Sequence, residues 1–339
     1  MKKINIAVLG DGGWGTTLAI LLHKKGFRVT LWGAFRKYVI ELNKKRINTK
    51  FLPEINIPHG IKITHILKDA ISDKQLIIFA VPSEYMRKVL KKIKPLDYPR
   101  DAIYVSVAKG IETESLKRMS EVIYAELMNI KLAVLSGPTI AREVVRRIPT
   151  TAVIASHNRG VRRYLQNIFM TEELRIYTND DVIGVELGGS FKNIIAIACG
   201  ISDGLGFGTN TKAAILSRGL TEISRLGVAM GAKASTFSGI SGLGDLVTTC
   251  ISPYSRNRFV GEQIGKGKSL RQIKAHMQIP ACRQAGIAEG IPTTKSAYAL
   301  SLKYKVGMPI TKEVYAVLYK NKSPLKAVRD LMTREKKEE

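Results

Sequence analysis

Two stretches of this chain hold residues whose type and spacing suit chemistry. In VELGGSFKNIIAIACG, residues 185 to 200, Lys192 is the one cation of a largely apolar helical run. An amine so placed can exchange a proton near neutral pH if burial or a neighbouring cation disfavours its charged form. The plainer reading is a stem lying on apolar surface with its ammonium in water. In INIAVLGDGGWG, residues 4 to 15, Gly10, Gly12 and Gly15 stand in G-x-G-x-x-G register, with Gly13 and Trp14 between the last two. The first glycine permits a tight turn, the second lets backbone approach a pyrophosphate, and the third lets helix and strand pack closely. The helix that follows, TTLAILLHKKG, offers its N-terminus to the anion, so the loop predicts a dinucleotide site.

The elements that must position these residues can be read from periodicity. Ile183, Leu187, Phe191, Ile194, Ile195 and Ala198 recur at helical spacing and form a core-facing stripe. Beside it Gly184, Gly188, Lys192, Ala196 and Gly200 form a row that is small everywhere except at the lysine, where another backbone or a ligand can come close. INIAVL, FRVTLW, LIIFAV, AIYVSV, KLAVLS, TAVIAS and LRIYT read as buried strands with helical stretches between most of them. This alternation predicts an α/β fold with a doubly wound, mostly parallel sheet, a Rossmann domain over residues 1–181. Residues 182–339 change to helical spacing and predict an all-α second domain, with Lys192 near the seam. Lys109 follows AIYVSV, at the carboxyl edge where such sheets bind ligands, and is otherwise a solvated loop lysine. At the end of FRVTLW the chain reads Gly33-Ala34-Phe35-Arg36-Lys37. The acid that would hold the ribose of NAD is missing there, and Arg36 is the candidate partner for the 2′-phosphate of NADP.

Composition narrows the classes. Of 339 residues 45% are hydrophobic, enough for two domains with cores. Cys199, Cys250 and Cys282 cannot all pair and lie in no metal-ligand spacing, which fits a reducing cytoplasm and implies no metal. No run approaching the ~20 apolar residues of a membrane span is apparent, so no membrane insertion is expected. The net charge of +26 is distributed in pairs such as Lys24-Lys25, Arg146-Arg147 and Arg162-Arg163, without a basic arm or interleaved aromatics. It reads as solvated surface, and no nucleic-acid partner is expected.

FAVPS (79–83), VAKGIE (107–112), SGPT (136–139), GGSFKN, SGLGDLVTTC and SPYSRN, in this order, resemble the bacterial-type NAD(P)-dependent glycerol-3-phosphate dehydrogenases, over a span from the first strand to about residue 320. The resemblance implies reversible reduction of dihydroxyacetone phosphate to sn-glycerol 3-phosphate for phospholipid synthesis, by a homodimer. It implies that Lys192 is the proton acceptor in alcohol oxidation, and that Lys109 contacts both substrate and cofactor. It makes Asp245 a substrate contact that orients Lys192 or a substrate hydroxyl, where the residue alone suggests only a turn former. It makes Ser255, Arg256 and Asn257 the phosphate site, where the residues alone equally suggest a helix cap. Gly137 and Thr139 match substrate contacts. Ala141, Ile287 and Glu289 match cofactor contacts, and Arg256 serves the cofactor side as well. Two positions depart from the pattern: Gly286, where relatives carry something bulkier, and Ala34, where many have His or Arg.

Two alternatives stay open at this level. One is a two-domain dehydrogenase acting on a hydroxy acid, which would not need the Ser-Arg-Asn cluster. The other is a non-enzymatic nucleotide sensor or nucleic-acid binder, which leaves Lys192 and Asp245 without a task.

Overall fold

Apolar runs too short for helices pair into a sheet, and the helices between them cover both of its faces. A computed structural model describes residues 4–279, 286–336 and 338. The first half begins β1 (Asn5–Leu9), α1 (Gly13–Lys24), β2 (Arg28–Trp32), α2 (Arg36–Lys45), β3 (Ile47–Asn48), β4 (Leu52–Asn56), β5 (Lys62–Thr64), α3 (Leu67–Ile71) and β6 (Leu76–Phe79). It continues α4 (Ser83–Ile93), β7 (Ile103–Ser106), α5 (Met119–Glu126), β8 (Lys131–Ser136), α6 (Ala141–Val145), β9 (Thr150–Ala155), α7 (Arg159–Phe169) and β10 (Leu174–Asn179). The helical half holds α8 (Val182–Gly204), α9 (Thr209–Ala229), α10 (Ala234–Phe237), a π-helical turn (Ile240–Gly244), α11 (Asp245–Ile251) and α12 (Arg256–Gly265). It ends with α13 (Leu270–Met277), α14 (Gly290–Lys303), α15 (Pro309–Tyr319) and α16 (Pro324–Met332).

Eight strands form one sheet in the order β10-β9-β8-β7-β6-β1-β2-β5, and all seven predicted strands are in it. The chain leaves β1 for β2 on one side and returns to β6 on the other, so the switch point lies between the carboxyl ends of β1 and β6. Most pairs are parallel as expected, but β8 and β9 are antiparallel, which reverses β9 and β10 against the rest. The reason is local. The five-residue α6 between them is too short to carry the chain back along the sheet, at about 1.5 Å of rise per residue. Three short strands, β3, β4 and β5, were not legible as strands. Each is brief, and β4 carries Pro53 and Glu54.

The helical domain is built around α8, nearly all of whose residues are buried. Its small row lets backbones touch. A Cβ on Gly188 would stand 2.7 Å from the Ser241 carbonyl oxygen, and one on Gly200 2.8 Å from the Glu262 nitrogen. From α12, a Cβ on Gly261 would lie 2.8 Å from the Ile201 nitrogen, and one on Gly265 2.5 Å from its carbonyl oxygen. Glycine on both helices therefore seats α12 on α8. By length and composition α8 is also apolar enough to cross a membrane, which corrects the sequence reading that no such run exists. Its most apolar window is 94% buried inside the fold, as a core helix would be. Glu186, a second charge on this helix, accepts hydrogen bonds from the Ser120 amide (2.8 Å), the Ser120 hydroxyl (2.6 Å) and Arg118 (2.5 Å), which ties α8 to the start of α5.

Candidate active site

Asp181 caps α8, its Oδ1 accepting from the Gly184 amide at 2.8 Å, and the first turn of the helix packs Val182 and Val185 on Val134, Val153 and Ala155 of β8 and β9. Lys192, 5% exposed, does not snorkel to solvent. Its Nζ donates to Oδ1 of Asp245 and, at 2.6 Å, to Oγ1 of Thr249. The other Asp245 oxygen accepts from Lys109 Nζ at 2.8 Å, and Lys109 also donates to the Gly137 carbonyl at 2.8 Å. One carboxylate, 1% exposed, thus holds two amines brought from the edge of the sheet and from the helical domain. Burial lowers the Lys192 pKa to about 7; the Asp245 charge opposes this and the Lys109 charge adds to it. Lysine with such a pKa is a competent acid and base at neutral pH.

Asp245 and Thr249 lie one turn apart on α11, whose entry is shaped by the π-helical turn of ISGLG. The Thr249 hydroxyl donates to the Asp245 carbonyl at 2.7 Å and so presents only lone pairs to Lys192. Gly137 has φ +132, a conformation open to glycine, and Thr139 Oγ1 bonds its carbonyl at 3.1 Å.

Ser255 does cap α12, accepting from the Arg258 amide at 3.2 Å, as the plain reading of SRN held. Arg256 at the first helical position is nevertheless exposed, and a Cβ on Gly286 would stand 2.9 Å from its Nη1. Gly286 itself has φ +115, a backbone conformation that L side chains rarely adopt. Asn257 is turned inward: its Nδ2 donates to Asn193 Oδ1 at 2.9 Å and its Oδ1 accepts from the Gly290 amide at 2.9 Å. Asn193 Nδ2 in turn meets the Lys109 carbonyl at 3.3 Å. Most of the bonding capacity of Asn257 is thus used in joining α12, α8 and α14, a positioning role the sequence reading did not foresee.

The glycine loop sits at the switch point. Gly10, at φ +127, would place a Cβ 2.5 Å from the Ala80 carbonyl oxygen after β6, and a Cβ on Gly15 would strike the Gly10 carbonyl. Around Gly12 a Cβ would meet nothing within 4 Å. The loop is thus closed against its own sheet and open outward at the α1 N-terminus, which fits a pyrophosphate. Ala141 lies beside it, its carbonyl accepting from Thr17 Oγ1 at 3.2 Å and its Cβ 3.7 Å from where a Gly13 Cβ would be. Trp14 Nε1 is buried without a hydrogen-bond partner among the described residues. Arg36 is exposed at the start of α2. Glu289 Oε1 accepts from the Ser83 amide at 2.9 Å, joining the first turn of α4 to the segment before α14. Ile287 is partly buried in that same segment.

Family models described as the N-terminus and C-terminus of NAD-dependent glycerol-3-phosphate dehydrogenase match residues 5–179 and 181–329. A glycerol-3-phosphate dehydrogenase [NAD(P)+] of Thermoanaerobacter is 50% identical over 337 residues, covering 99% of both chains. That of Fusobacterium nucleatum is 48% identical over 336 residues, 98% of both chains. The crystal structure of the Coxiella burnetii glycerol-3-phosphate dehydrogenase superposes with a TM-score of 0.93 at 37% identity, over 98% of this chain and 99% of the other. The chain belongs to the NAD(P)-dependent glycerol-3-phosphate dehydrogenase family. It is an oxidoreductase that uses a nicotinamide dinucleotide to interconvert dihydroxyacetone phosphate and sn-glycerol 3-phosphate, and the two alternatives left open by the sequence fall away.

Sequence reasoning missed three groups of this dehydrogenase. Thr249 and Asn193 each lie within a quoted motif, and their spacing was a usable signal: Thr249 is four residues after Asp245, and Asn193 adjoins the lysine. Asn48 carried none. Its Nδ2 donates to the Asp11 carbonyl (2.8 Å) and Thr16 Oγ1 (2.7 Å), and its Oδ1 accepts from Tyr38 and Phe51, so the β3–β4 hairpin braces the glycine loop.

Proposed function

We propose that Lys192 is the proton-transfer residue of this dehydrogenase. What supports the reading is the shared carboxylate: Asp245 fixes the Lys192 amine on one oxygen and Lys109 on the other. The bound nicotinamide supplies or accepts the hydride. In the oxidising direction neutral Lys192 takes the proton from the substrate hydroxyl as the carbonyl forms, and in the reducing direction its ammonium returns one. Lys109, held on the other oxygen of the same carboxylate, donates toward the reacting oxygen, where negative charge grows during reduction. Asp245 holds both amines in place. The substrate phosphate is held by Arg256, by Ser255 and by backbone amides at the α12 N-terminus, with Gly137 and Thr139 lining the near side. The dinucleotide is held by the loop of Gly10, Gly12, Gly13, Trp14 and Gly15, with Ala141, Ile287 and Glu289 around it and Arg36 at the adenosine end.

We place the boundary between the two domains between β10 and α8, next to residue 181. The enzyme acts as a homodimer in the cytoplasm and feeds phospholipid synthesis, readings that rest on the family resemblance and on the free thiols Cys199 and Cys250. Cys282 lies outside the described residues. The test of the phosphate assignment is turnover of dihydroxyacetone phosphate against unphosphorylated dihydroxyacetone. The Arg256→Ala variant should raise KM for the phosphorylated ketone by about 30-fold with kcat little changed. An unchanged KM removes Arg256 from the phosphate site.

A further inference from the structure

The end of β2 lacks the acidic residue that would hold the adenosine ribose, because Gly33 stands there without a side chain. The space a residue-33 side chain would begin in is not empty. A Cβ built on Gly33 would collide with Oδ2 of Asp11 and lie 2.7 Å from Val39 Cγ2. Asp11 is the residue between the first two glycines of the phosphate loop, and its backbone is pinned there by Asn48 Nδ2 on its carbonyl at 2.8 Å. Its Oδ2 is buried and has no hydrogen-bond partner among the described residues. A buried carboxylate oxygen without a donor is costly, and such groups are rare unless a ligand completes them.

We propose that Asp11 supplies from the glycine loop the carboxylate that is absent from β2, and thereby sets the preference of the enzyme for NADH over NADPH. This rests on the assignment of the glycine loop to the dinucleotide. The ribose 2′- and 3′-hydroxyls are donors that a carboxylate can accept, whereas a 2′-phosphate brings negative charge against it. Burial raises the Asp11 pKa to about 6, and Lys50 draws it back, so the group is largely ionised at pH 8. Arg36, exposed at the start of α2, favours the 2′-phosphate, and the two side chains pull the choice of cofactor in opposite directions.

The test is direct binding at pH 8, by calorimetry, of NADH and NADPH to the full-length protein and to Asp11→Asn, Asp11→Ala and Asp11→Glu, each checked by its thermal melt. Wild type should bind NADH about tenfold tighter than NADPH. Asp11→Asn keeps the shape and removes the charge, and should cut that ratio by about tenfold, chiefly by tightening NADPH. Asp11→Ala should also weaken NADH, and Asp11→Glu should keep the wild-type preference. An unchanged ratio in Asp11→Asn, or equal weakening of both nucleotides, makes Asp11 a filler of the glycine notch and overturns the proposal. Wild-type protein that binds NADPH as tightly as NADH overturns it without any variant. If wild type binds neither nucleotide, it is the assignment of the loop that fails.

Discussion

Lys192 and Glu222 are both nearly inaccessible, both titrate far from their ordinary values, and in both burial is the main cause. The Lys192 pKa falls to about 7 and the Glu222 pKa rises to about 7. Their surroundings differ. Glu222 on α9 accepts from the Ile310 amide (2.6 Å), the Thr311 amide (3.1 Å) and the Thr311 hydroxyl (3.1 Å), all in the first turn of α15. It is an internal cap for another helix, in which the orphan amides of a helix N-terminus find an acceptor. Lys192 lies at the seam between sheet and helices, beside Lys109, whose side chain is 17% accessible, and its anionic partner is shared with that second cation. A shifted pKa therefore marks burial, and function has to be read from what else reaches the group.

The sharpest test of this contrast is Lys192→Ala, which should lower kcat by about 10³-fold while NADH affinity and thermal stability stay near wild type, since Asp245 keeps Lys109. Parallel loss of binding and stability would put Lys192 in the same class as Glu222. Glu222→Ala should do the reverse, costing about 2–3 kcal/mol in urea denaturation by orphaning the α15 amides, with kcat within about twofold of wild type. A large fall in kcat would break the comparison from the other side.

The pH dependences run in opposite senses. Folded Glu222 holds its proton up to about pH 7 while an unfolded glutamate loses it near 4.5, so its contribution to stability is greatest below 4.5 and is lost as pH rises through 7, by on the order of 3 kcal/mol. The slope over that window should vanish in Glu222→Gln. Folded Lys192 has already lost its proton above about pH 7, whereas the unfolded lysine keeps its own to about 10.5, so this term makes stability rise with pH between those values. Alcohol oxidation should accordingly climb to a plateau above about pH 7, and ketone reduction should fall there. The smallest effect belongs to Thr249→Val. Loss of the hydroxyl that accepts from the ammonium disfavours the charged form and should move the acid limb of the oxidation profile to lower pH by less than about one unit. A shift to higher pH would mean that Thr249 does not serve the charged amine.

The legible parts of the fold were those in which one side-chain pattern governs one element. The seven strands are short runs rich in apolar and β-branched residues, and the glycine loop is dictated by close backbone contact, at Gly10 against Ala80 and at Gly15 against Gly10. The illegible parts depend on partners far along the chain. The antiparallel turn of β9 follows from the shortness of α6, and the bracing of the loop comes from Asn48, in a hairpin whose strands have two and five residues.

By itself the sequence determined the order of elements, the open face of the phosphate loop and the presence of an amine within an apolar helix, because glycine sterics and hydrophobic periodicity act over a few residues. Only the tertiary structure decided that the amine is buried, that one carboxylate serves two lysines, that Asn257 turns inward, and that Asp11 fills the notch at Gly33. These outcomes depend on which distant groups share a low-dielectric space, and that is set when α8, α11, α12 and the sheet edge pack together.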